Sequence, residues 1–328
     1  MHAAALLNPW QQRFPLLAEP FAAIGAQTGQ TADEVLAAFA AAQRCGALSR
    51  IAGIFGAGAG GAGLLVAMAV PGEALDAVAA RVSAEPLVNH NYEREHALNL
   101  WFVVNAGDAA AVEAVVARIE HTTGLPAVRL PLLRPYRIDL GFDLGARTAT
   151  VAMAPQRPAP AVPAAERALA ALVEQGLPLL PRPYDAWAQA LGREPGALLA
   201  QLAGWLDDGT LKRFGTIVRH HELGFAANAM TVFELPEAEV DAHGEALARV
   251  PGVTLAYRRA PAAGWPFNLY CMVHGRDREA VHAVLARAVQ AAALADFPRA
   301  VLFSRRRFKQ TGASRFAAPS TEAADAIA

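Results

Sequence analysis

Two short segments carry the side chains best suited to proton transfer and anion binding. Arg219–Glu222 places a guanidinium, two imidazoles and a carboxylate at the end of an apolar run. In the other half of the chain, His90, Tyr92 and Arg94 alternate within one polar stretch. Alternate residues of a strand share a face, so this stretch is predicted to present an acid, a hydroxyl and a guanidinium together. For Arg219–Glu222, the residues alone leave a functional cluster and a solvated loop equally open.

The chain contains two copies of one structural unit. Residues 16–55 align with residues 179–218 without a gap, and the match continues with small shifts. Aligned pairs include Pro20 with Pro183, Gly29 with Gly192, Arg50 with Arg213, Tyr92 with Tyr257 and Asn99 with Asn268. A period this long indicates duplication of a whole unit. The proline-rich stretch between the copies is typical of a semi-rigid linker.

Each copy is predicted to contain a winged helix-turn-helix followed by a ferredoxin-like βαββαβ module, which makes the chain an α+β protein. The two sheets are expected to pair as a pseudo-dimer, with a ligand-binding crevice between them. The predicted boundaries are 1–58 (first helix-turn-helix), 59–145 (first ferredoxin-like domain), 146–163 (linker), 164–218 (second helix-turn-helix), 219–312 (second ferredoxin-like domain) and 313–328 (tail). The predicted wing strands are Leu48–Phe55 and Leu211–Val218, and the predicted last strands of the modules are Ala127–Leu133 and Ala300–Ser304.

The two copies differ where their polar clusters lie. Copy one has Gly56–Gly58 at the position of the second copy's arginine and histidines, and copy two has Leu255 at the position of His90. Each half thus has what the other lacks, which favours one composite site. The glycine-rich segment Gly56–Gly63 lacks the Lys-Ser/Thr pair of a phosphate-binding loop, so we predict a flexible or closely packed loop.

Composition and charge argue against several classes of protein. With a net charge of −1 and a pI of about 6.8, the chain has no overall electrostatic attraction to nucleic acid or to an anionic membrane. The candidate recognition helices, Thr31–Arg44 and Glu194–Asp207, open with acids or lack lysine and arginine, so DNA binding is not expected. The two cysteines lie far apart and predict no metal site, which suits a reduced, cytoplasmic protein. No apolar run reaches the roughly 18 residues of a membrane span.

Four strings of residues resemble the sirohaem decarboxylase family, in the form in which two homologous Lrp/AsnC-like halves are fused. They are Asn89–Arg94, Asn99–Phe102, Arg219–Phe225 with Asn228–Met230, and Leu302–Phe308. The resemblance spans nearly the whole chain. It implies non-oxidative loss of CO2 from the C12 and C18 acetate side chains of sirohaem, giving 12,18-didecarboxysirohaem in haem d1 biosynthesis. It also implies no organic cofactor and no added metal, since the iron enters with the substrate.

The resemblance implies that His90 and His220 are the functionally important histidines. The residues predicted to hold a flat substrate with several carboxylates are Arg219, His221, Tyr92, Arg94, Tyr257, Arg258, Asn99, Trp101, Asn228 and Arg305. A homologous partner decarboxylase and self-association both remain open, and neither DNA nor membrane is an expected partner. The alternatives are a ligand-responsive transcriptional regulator of the same fold and a noncatalytic tetrapyrrole-binding protein.

Overall fold

The computed structural model describes residues 6–138, 159–218 and 227–316. Its helices are α1 (Pro20–Thr28), α2 (Ala32–Arg44), α3 (Leu75–Ala84), α4 (Ala109–Thr123), α5 (Arg167–Gln175), α6 (Pro183–Leu191), α7 (Pro195–Asp207), α8 (Val240–Ala248) and α9 (Arg278–Ala291). Its strands are β1 (Leu48–Phe55), β2 (Ala62–Met68), β3 (Val88–Arg94), β4 (Leu100–Ala106), β5 (Ala127–Ile138), β6 (Leu211–Val218), β7 (Ala227–Phe233), β8 (Val253–Arg259), β9 (Leu269–Gly275) and β10 (Arg299–Gln310). Within these residues, no helix is long and apolar enough to cross a membrane.

The helix-turn-helix units of the two halves form one layer. At the start of α2, the Thr31 hydroxyl accepts a hydrogen bond from Glu34 N, and the Glu34 carboxylate accepts one from Thr31 N, which fixes where the helix begins. The wing strands β1 and β6 have the predicted bounds, and they pair with each other in antiparallel fashion. Side chains from both halves, such as Phe39 and Trp187, therefore share a single hydrophobic core.

The remaining eight strands form a closed barrel in the order β10-β3-β4-β2-β5-β8-β9-β7. Closure depends on β5 and β10, because each pairs with a strand of its own half and then with a strand of the other half. The helices α3 and α4 of the first half, and α8 and α9 of the second, pack on the outside over separate hydrophobic cores. The predicted ferredoxin-like modules and their pairing as a pseudo-dimer are confirmed.

The last strand of each module is longer than predicted. β5 ends at Ile138 rather than Leu133, and β10 ends at Gln310 rather than Ser304. The added residues hydrogen-bond across the halves, β5 to β8 and β10 to β3. Pro135 in β5 and the arginines of both segments are typical of strand ends, and the strand that keeps each segment extended lies far away in the sequence.

The expected crevice between the sheets is filled over the middle of the barrel. The Trp101 and Trp265 ring centroids lie 5.2 Å apart, and Trp265 Nε1 donates a hydrogen bond to Tyr270 Oη at 2.7 Å. All three side chains are buried among other apolar residues of both halves. Side chains of the barrel core therefore occupy the middle of the expected crevice.

Residues 311–316, here called the C-terminal strap, connect β10 to the helical layer. The buried Glu174 carboxylate accepts hydrogen bonds from the backbone N–H groups of Arg315 and Phe316, at 2.7 and 3.1 Å. The Phe316 ring is buried and its centroid lies 4.6 Å from that of Phe55. The strap thus ties the last strand of the second half to the helical layer.

The glycine-rich loop is closely packed beneath this strap. A Cβ atom on Gly61 would lie 2.5 Å from Arg315 Cβ, and one on Gly60 would lie 2.9 Å from Phe316 Cε1. Both glycines also have positive φ angles, 71° and 142°, which L-residues rarely adopt. Of the two predicted roles for this loop, the structure supports close packing.

Gly244 of α8 is covered by the ring of Tyr136 from β5. A Cβ on Gly244 would lie 2.2 Å from Tyr136 Cε2, and Tyr136 Oη donates to Asp241 on the same helix. Gly244→Ala is expected to lower the free energy of unfolding by about 2 kcal/mol in urea, because overpacking at this contact displaces a strand that closes the barrel. The control is Gly204→Ala in α7, where nothing lies within 4 Å of the added atom and helix propensity should raise stability slightly. Equal effects of the two changes would contradict this role of Tyr136.

Candidate active site

Three polar strings of the sequence lie on neighbouring strands of the barrel. β10 lies between β3 and β7. His90 is opposite Gln310, and Arg94 is opposite Ser304. The Ser304 hydroxyl donates a hydrogen bond to Asn228 Oδ1 on β7 at 2.7 Å. The structure therefore brings these residues into one continuous wall, although they are distant in sequence.

His90, Tyr92 and Arg94 project from one face of β3, as predicted. The His90 and Tyr92 rings are stacked, with centroids 6.0 Å apart and an angle of 18° between their planes. The Arg94 guanidinium carbon lies 5.7 Å from the centre of the Tyr92 ring. The other face of β3 packs on the helices, where Asn91 Nδ2 donates to Ala79 O at 3.0 Å. The reactive side chains thus face the barrel and not the helical cover.

The His90 imidazole is neutral at neutral pH in the unliganded protein. Burial lowers the pKa of His90 to about 4, and the positive charges of Arg50 and Arg94 add to this effect. Among the described residues, its imidazole makes no hydrogen bond and contacts the Tyr92 ring. His90 must therefore gain a proton, together with an anionic ligand, before it can act as an acid.

Arg50 of β1 reaches the His90 end of the barrel from the helical layer. The C-terminal strap passes directly over it, since a Cβ on Gly312 would lie 2.6 Å from Arg50 Nη2. Thr311, the residue before, donates its backbone N–H to Asn89 O at 2.8 Å. Arg50 Nε also donates a hydrogen bond to Glu174 O on α5 at 3.0 Å, so α5 and the strap together place this guanidinium near His90. The sequence repeat aligned Arg50 with Arg213, but no polar motif marked Arg50 as part of the site.

Arg94 is a buried cation with no carboxylate partner among the described residues. Its side chain is 7% exposed, and Nη1 donates to Leu302 O at 3.1 Å. Burial lowers the pKa of Arg94, and the hydroxyls of Tyr92 and Tyr257 act against this. A guanidinium nonetheless stays charged at neutral pH. Arg94 is therefore placed to hold an anion brought by a ligand.

The second half presents a similar face on β8. Tyr257 and Arg259 occupy the positions of Tyr92 and Arg94, and the Arg259 guanidinium carbon lies 4.8 Å from the centre of the Tyr257 ring. Arg259 belongs to the basic pair Arg258-Arg259 that the sequence offers to a ligand with several carboxylates, but only Arg258 is among the predicted site residues; alignment of Tyr92 with Tyr257 pairs Arg259 with Arg94. The apolar Leu255 stands in place of His90, so this half lacks a proton donor at that position on β8.

Arg258, a predicted substrate-binding residue, projects from the opposite face of β8. Its Nη1 lies 3.3 Å from Asp241 Oδ1, and its Nη2 is paired with Glu237. Successive residues of a strand point to opposite faces, so Arg258 and Tyr257 cannot both face the barrel interior. The structure places Arg259 there and Arg258 against α8.

Three more predicted residues are used in structural contacts or lie at the surface. The Asn99 side-chain amide both accepts from Val70 N and donates to Val70 O, each at 2.9 Å, which fixes two loops to each other. Trp101 lies in the barrel core and donates to Leu98 O at 2.6 Å. Arg305 is exposed and forms ion pairs with carboxylates of β3 and of the loop after it.

Arg219, His220 and His221 lie outside the described residues. Ala227, the next residue that the structure describes, begins β7 beside β10. β10 also borders β3, which carries His90. In the described part of the chain, no group of three or more His, Cys, Asp or Glu residues is arranged to hold a metal ion.

Comparison with known proteins agrees with this architecture. The "AsnC-like ligand binding domain" model matches residues 59–137 and 222–309, and the "Siroheme decarboxylase NirDL-like HTH domain" model matches residues 4–48. The "Siroheme decarboxylase NirDL subunit" of Paracoccus denitrificans is 43% identical over 313 residues, which is 94% of this chain and 95% of that protein. The chain belongs to the siroheme decarboxylase NirDL family.

Other members of this family match in structure or over one half. A NirDL crystal structure "in co-complex with iron-uroporphyrin III analogue" has a TM-score of 0.66 and 26% identity, covering 96% of this chain and 93% of that chain. The separate "Siroheme decarboxylase NirD subunit" of Stutzerimonas stutzeri is 49% identical over 43% of this chain and 92% of its own length. The NirL subunit of the same organism is 44% identical over 46% of this chain and 89% of its own length. The chain therefore has the length of two such subunits.

Proposed function

We propose that this chain decarboxylates sirohaem, removing CO2 from the C12 and C18 acetate side chains to give 12,18-didecarboxysirohaem. The observation that carries the proposal is the stacked His90–Tyr92 pair beside Arg94, in a chain that matches the NirDL family along almost its whole length. The same match favours a decarboxylase over a transcriptional regulator of this fold.

The reaction needs a held carboxylate, a dry site and a delivered proton. The bond between the carboxylate carbon and the methylene carbon breaks, and its electron pair passes to the methylene carbon and the conjugated macrocycle. A proton then joins that carbon, and the acetate becomes a methyl group. Arg94 and Arg219 hold carboxylates, Tyr92, His221 and Asn228 line the site, and His90 and His220 deliver protons.

The proposal is tested by anaerobic incubation of the purified chain with sirohaem, followed by mass spectrometry. Successive loss of one and two CO2 is expected. Binding of sirohaem without any loss of mass would instead make the chain a noncatalytic tetrapyrrole-binding protein. Salt-sensitive binding to DNA would favour the regulator.

Proton uptake accompanies substrate binding in this mechanism. An anionic acetate beside His90 offsets the charges of the nearby arginines, so the pKa of His90 rises from about 4 and the imidazole takes up a proton. In weakly buffered solution at pH 7, the wild type should take up a larger number of protons per bound sirohaem than His90→Gln, by about one. Equal uptake by both proteins would show that His90 stays neutral in the complex.

The remaining features of the proposal concern cofactor, partners and location. The chain works without a resident organic cofactor or metal, so treatment with a chelator before sirohaem is added should leave the activity unchanged. The existence of separate NirD and NirL relatives supports assembly with a homologous partner or with a second copy. We place the activity in the cytoplasm because sparse, separated cysteines suit a reducing compartment.

A further inference from the structure

Arg259 is a partly buried cation in the second half of the barrel that the proposed reaction does not use. Its Nη1 donates to Leu130 O at 2.6 Å, and among the described residues its buried Nε has no hydrogen-bond partner. The guanidinium carbon lies 4.8 Å from the centre of the Tyr257 ring and 5.9 Å from that of Tyr270. No described carboxylate pairs with it. A partly buried charge without a counter-ion is incompletely solvated, so an anion that reached Arg259 would be bound favourably.

The surroundings of Arg259 repeat those of Arg94. Each guanidinium donates to the backbone carbonyl of a leucine on the strand that closes the barrel, Leu302 for Arg94 and Leu130 for Arg259. Each also lies over the tyrosine two residues earlier on its own strand. Two positions built alike should bind the same chemical group, which for Arg94 is a carboxylate.

The two positions differ in what stands beside the anion. His90 shares the face of β3 with Arg94 and has Arg50 nearby, whereas Leu255 occupies the place of His90 on β8. A leucine cannot give a proton to a methylene carbon. A carboxylate held by Arg259 therefore meets no acid at that position and stays intact.

We infer that Arg259 is a second carboxylate-binding residue, which holds a tetrapyrrole side chain in the second half without reacting it. The identity of the ligand rests on the proposed function. The carboxylate comes either from another side chain of the same sirohaem or from a second tetrapyrrole. The position of Arg94 thus takes part in decarboxylation, and the pseudo-symmetric position of Arg259 holds the ligand in place.

The test measures binding of iron-uroporphyrin III by absorbance titration, with and without Arg259. Arg259→Gln should raise the dissociation constant about tenfold, on the scale of one charge-assisted hydrogen bond. The rate constant of sirohaem decarboxylation at saturation should change by less than about twofold, because this interaction is made equally in the ground and transition states. A matched loss of charge at the surface, Arg249→Gln, should change neither quantity; its side chain is 74% exposed.

A second variant separates binding from a purely structural role. Leu132 on β5 is paired with Arg259 on β8 and is 39% exposed. Leu132→Glu therefore gives Arg259 a carboxylate partner from the protein itself without removing a core side chain. This change should preserve or raise the melting temperature while weakening iron-uroporphyrin III binding to the same extent as Arg259→Gln. If affinity stays at the wild-type value in both variants, Arg259 is structural and the inference is wrong.

The stoichiometry of the titration identifies the source of the carboxylate. One equivalent at saturation means that both arginines hold the same tetrapyrrole, and two equivalents mean that Arg259 holds a second one. Because iron-uroporphyrin III binding is measured without turnover, a wild type that binds it but leaves sirohaem intact would refute the proposed function and still test Arg259.

Discussion

His90→Gln is expected to lower the single-turnover rate of sirohaem decarboxylation by about a hundredfold to a thousandfold, the range of a lost general acid. Glutamine keeps a polar side chain of similar size but cannot deliver a proton at neutral pH. Binding of sirohaem should change much less, because Arg94 still holds a carboxylate. The measurement is CO2 loss by rapid quench and mass spectrometry, with the affinity taken from an absorbance titration.

The matched control is His121→Gln, an exposed histidine in the last turn of α4, far from the candidate site. It should retain the wild-type rate. If His90→Gln also keeps at least half of that rate with its fold intact, His90 is not the proton donor. A parallel loss of sirohaem binding would instead assign His90 to substrate positioning.

His220 allows the composite site to be tested through non-additivity. Residues that act on one bound molecule give a double variant hardly slower than either single variant, whereas independent sites multiply their effects. We expect His90→Gln with His220→Gln to be within about tenfold of the slower single variant. A product of the two separate losses would indicate that the histidines serve different reactions.

Local sequence patterns predicted those parts of the fold whose partners are near in sequence. β1 and β6 have the predicted bounds because apolar periodicity and turn glycines fix their ends. The predicted bounds of β5 and β10 are too short because the final residues of these strands pair with strands of the other half. An arginine-rich strand with a proline gives no local sign of such a distant partner.

The candidate site was predicted in part for the same reason. Alternation along one strand was enough to put His90, Tyr92 and Arg94 on one face. Strand alternation also predicts that Arg259, and not Arg258, shares a face with Tyr257, because Tyr257 and Arg259 are two residues apart. Since Arg258 and Arg259 are adjacent, the choice between them was not evident from the sequence. Arg50 could not be found, because α5 and the strap, both distant from it in sequence, place it near His90.

That strap gives the second large expected effect. The predicted tail began at residue 313, yet Phe316 is 4% exposed and lies in the core of the helical layer. Phe316→Ala is expected to lower the free energy of unfolding by about 3 kcal/mol, through lost burial and the cavity left beside Phe55. Urea denaturation measures the change, and the exposed Leu17→Ala should stay within about 0.5 kcal/mol of the wild type. A small effect at Phe316 would show that its ring leaves the core without cost.

Arg315 makes the stability of the strap depend on pH. Burial raises the pKa of Glu174, and Arg315, with the backbone N–H groups of the strap, opposes that rise. A raised pKa in the folded state means that ionisation of Glu174 destabilises the fold as the pH rises through that value. Without its guanidinium partner the pKa should rise further, so Arg315→Gln should be least stable relative to the wild type above neutral pH. The deficit should shrink as the pH falls below about 4.5, where the carboxyl group is mostly protonated even in the unfolded chain. Glu174→Gln in the same background should remove the pH dependence, and a deficit that persists unchanged with pH would place the effect of Arg315 elsewhere.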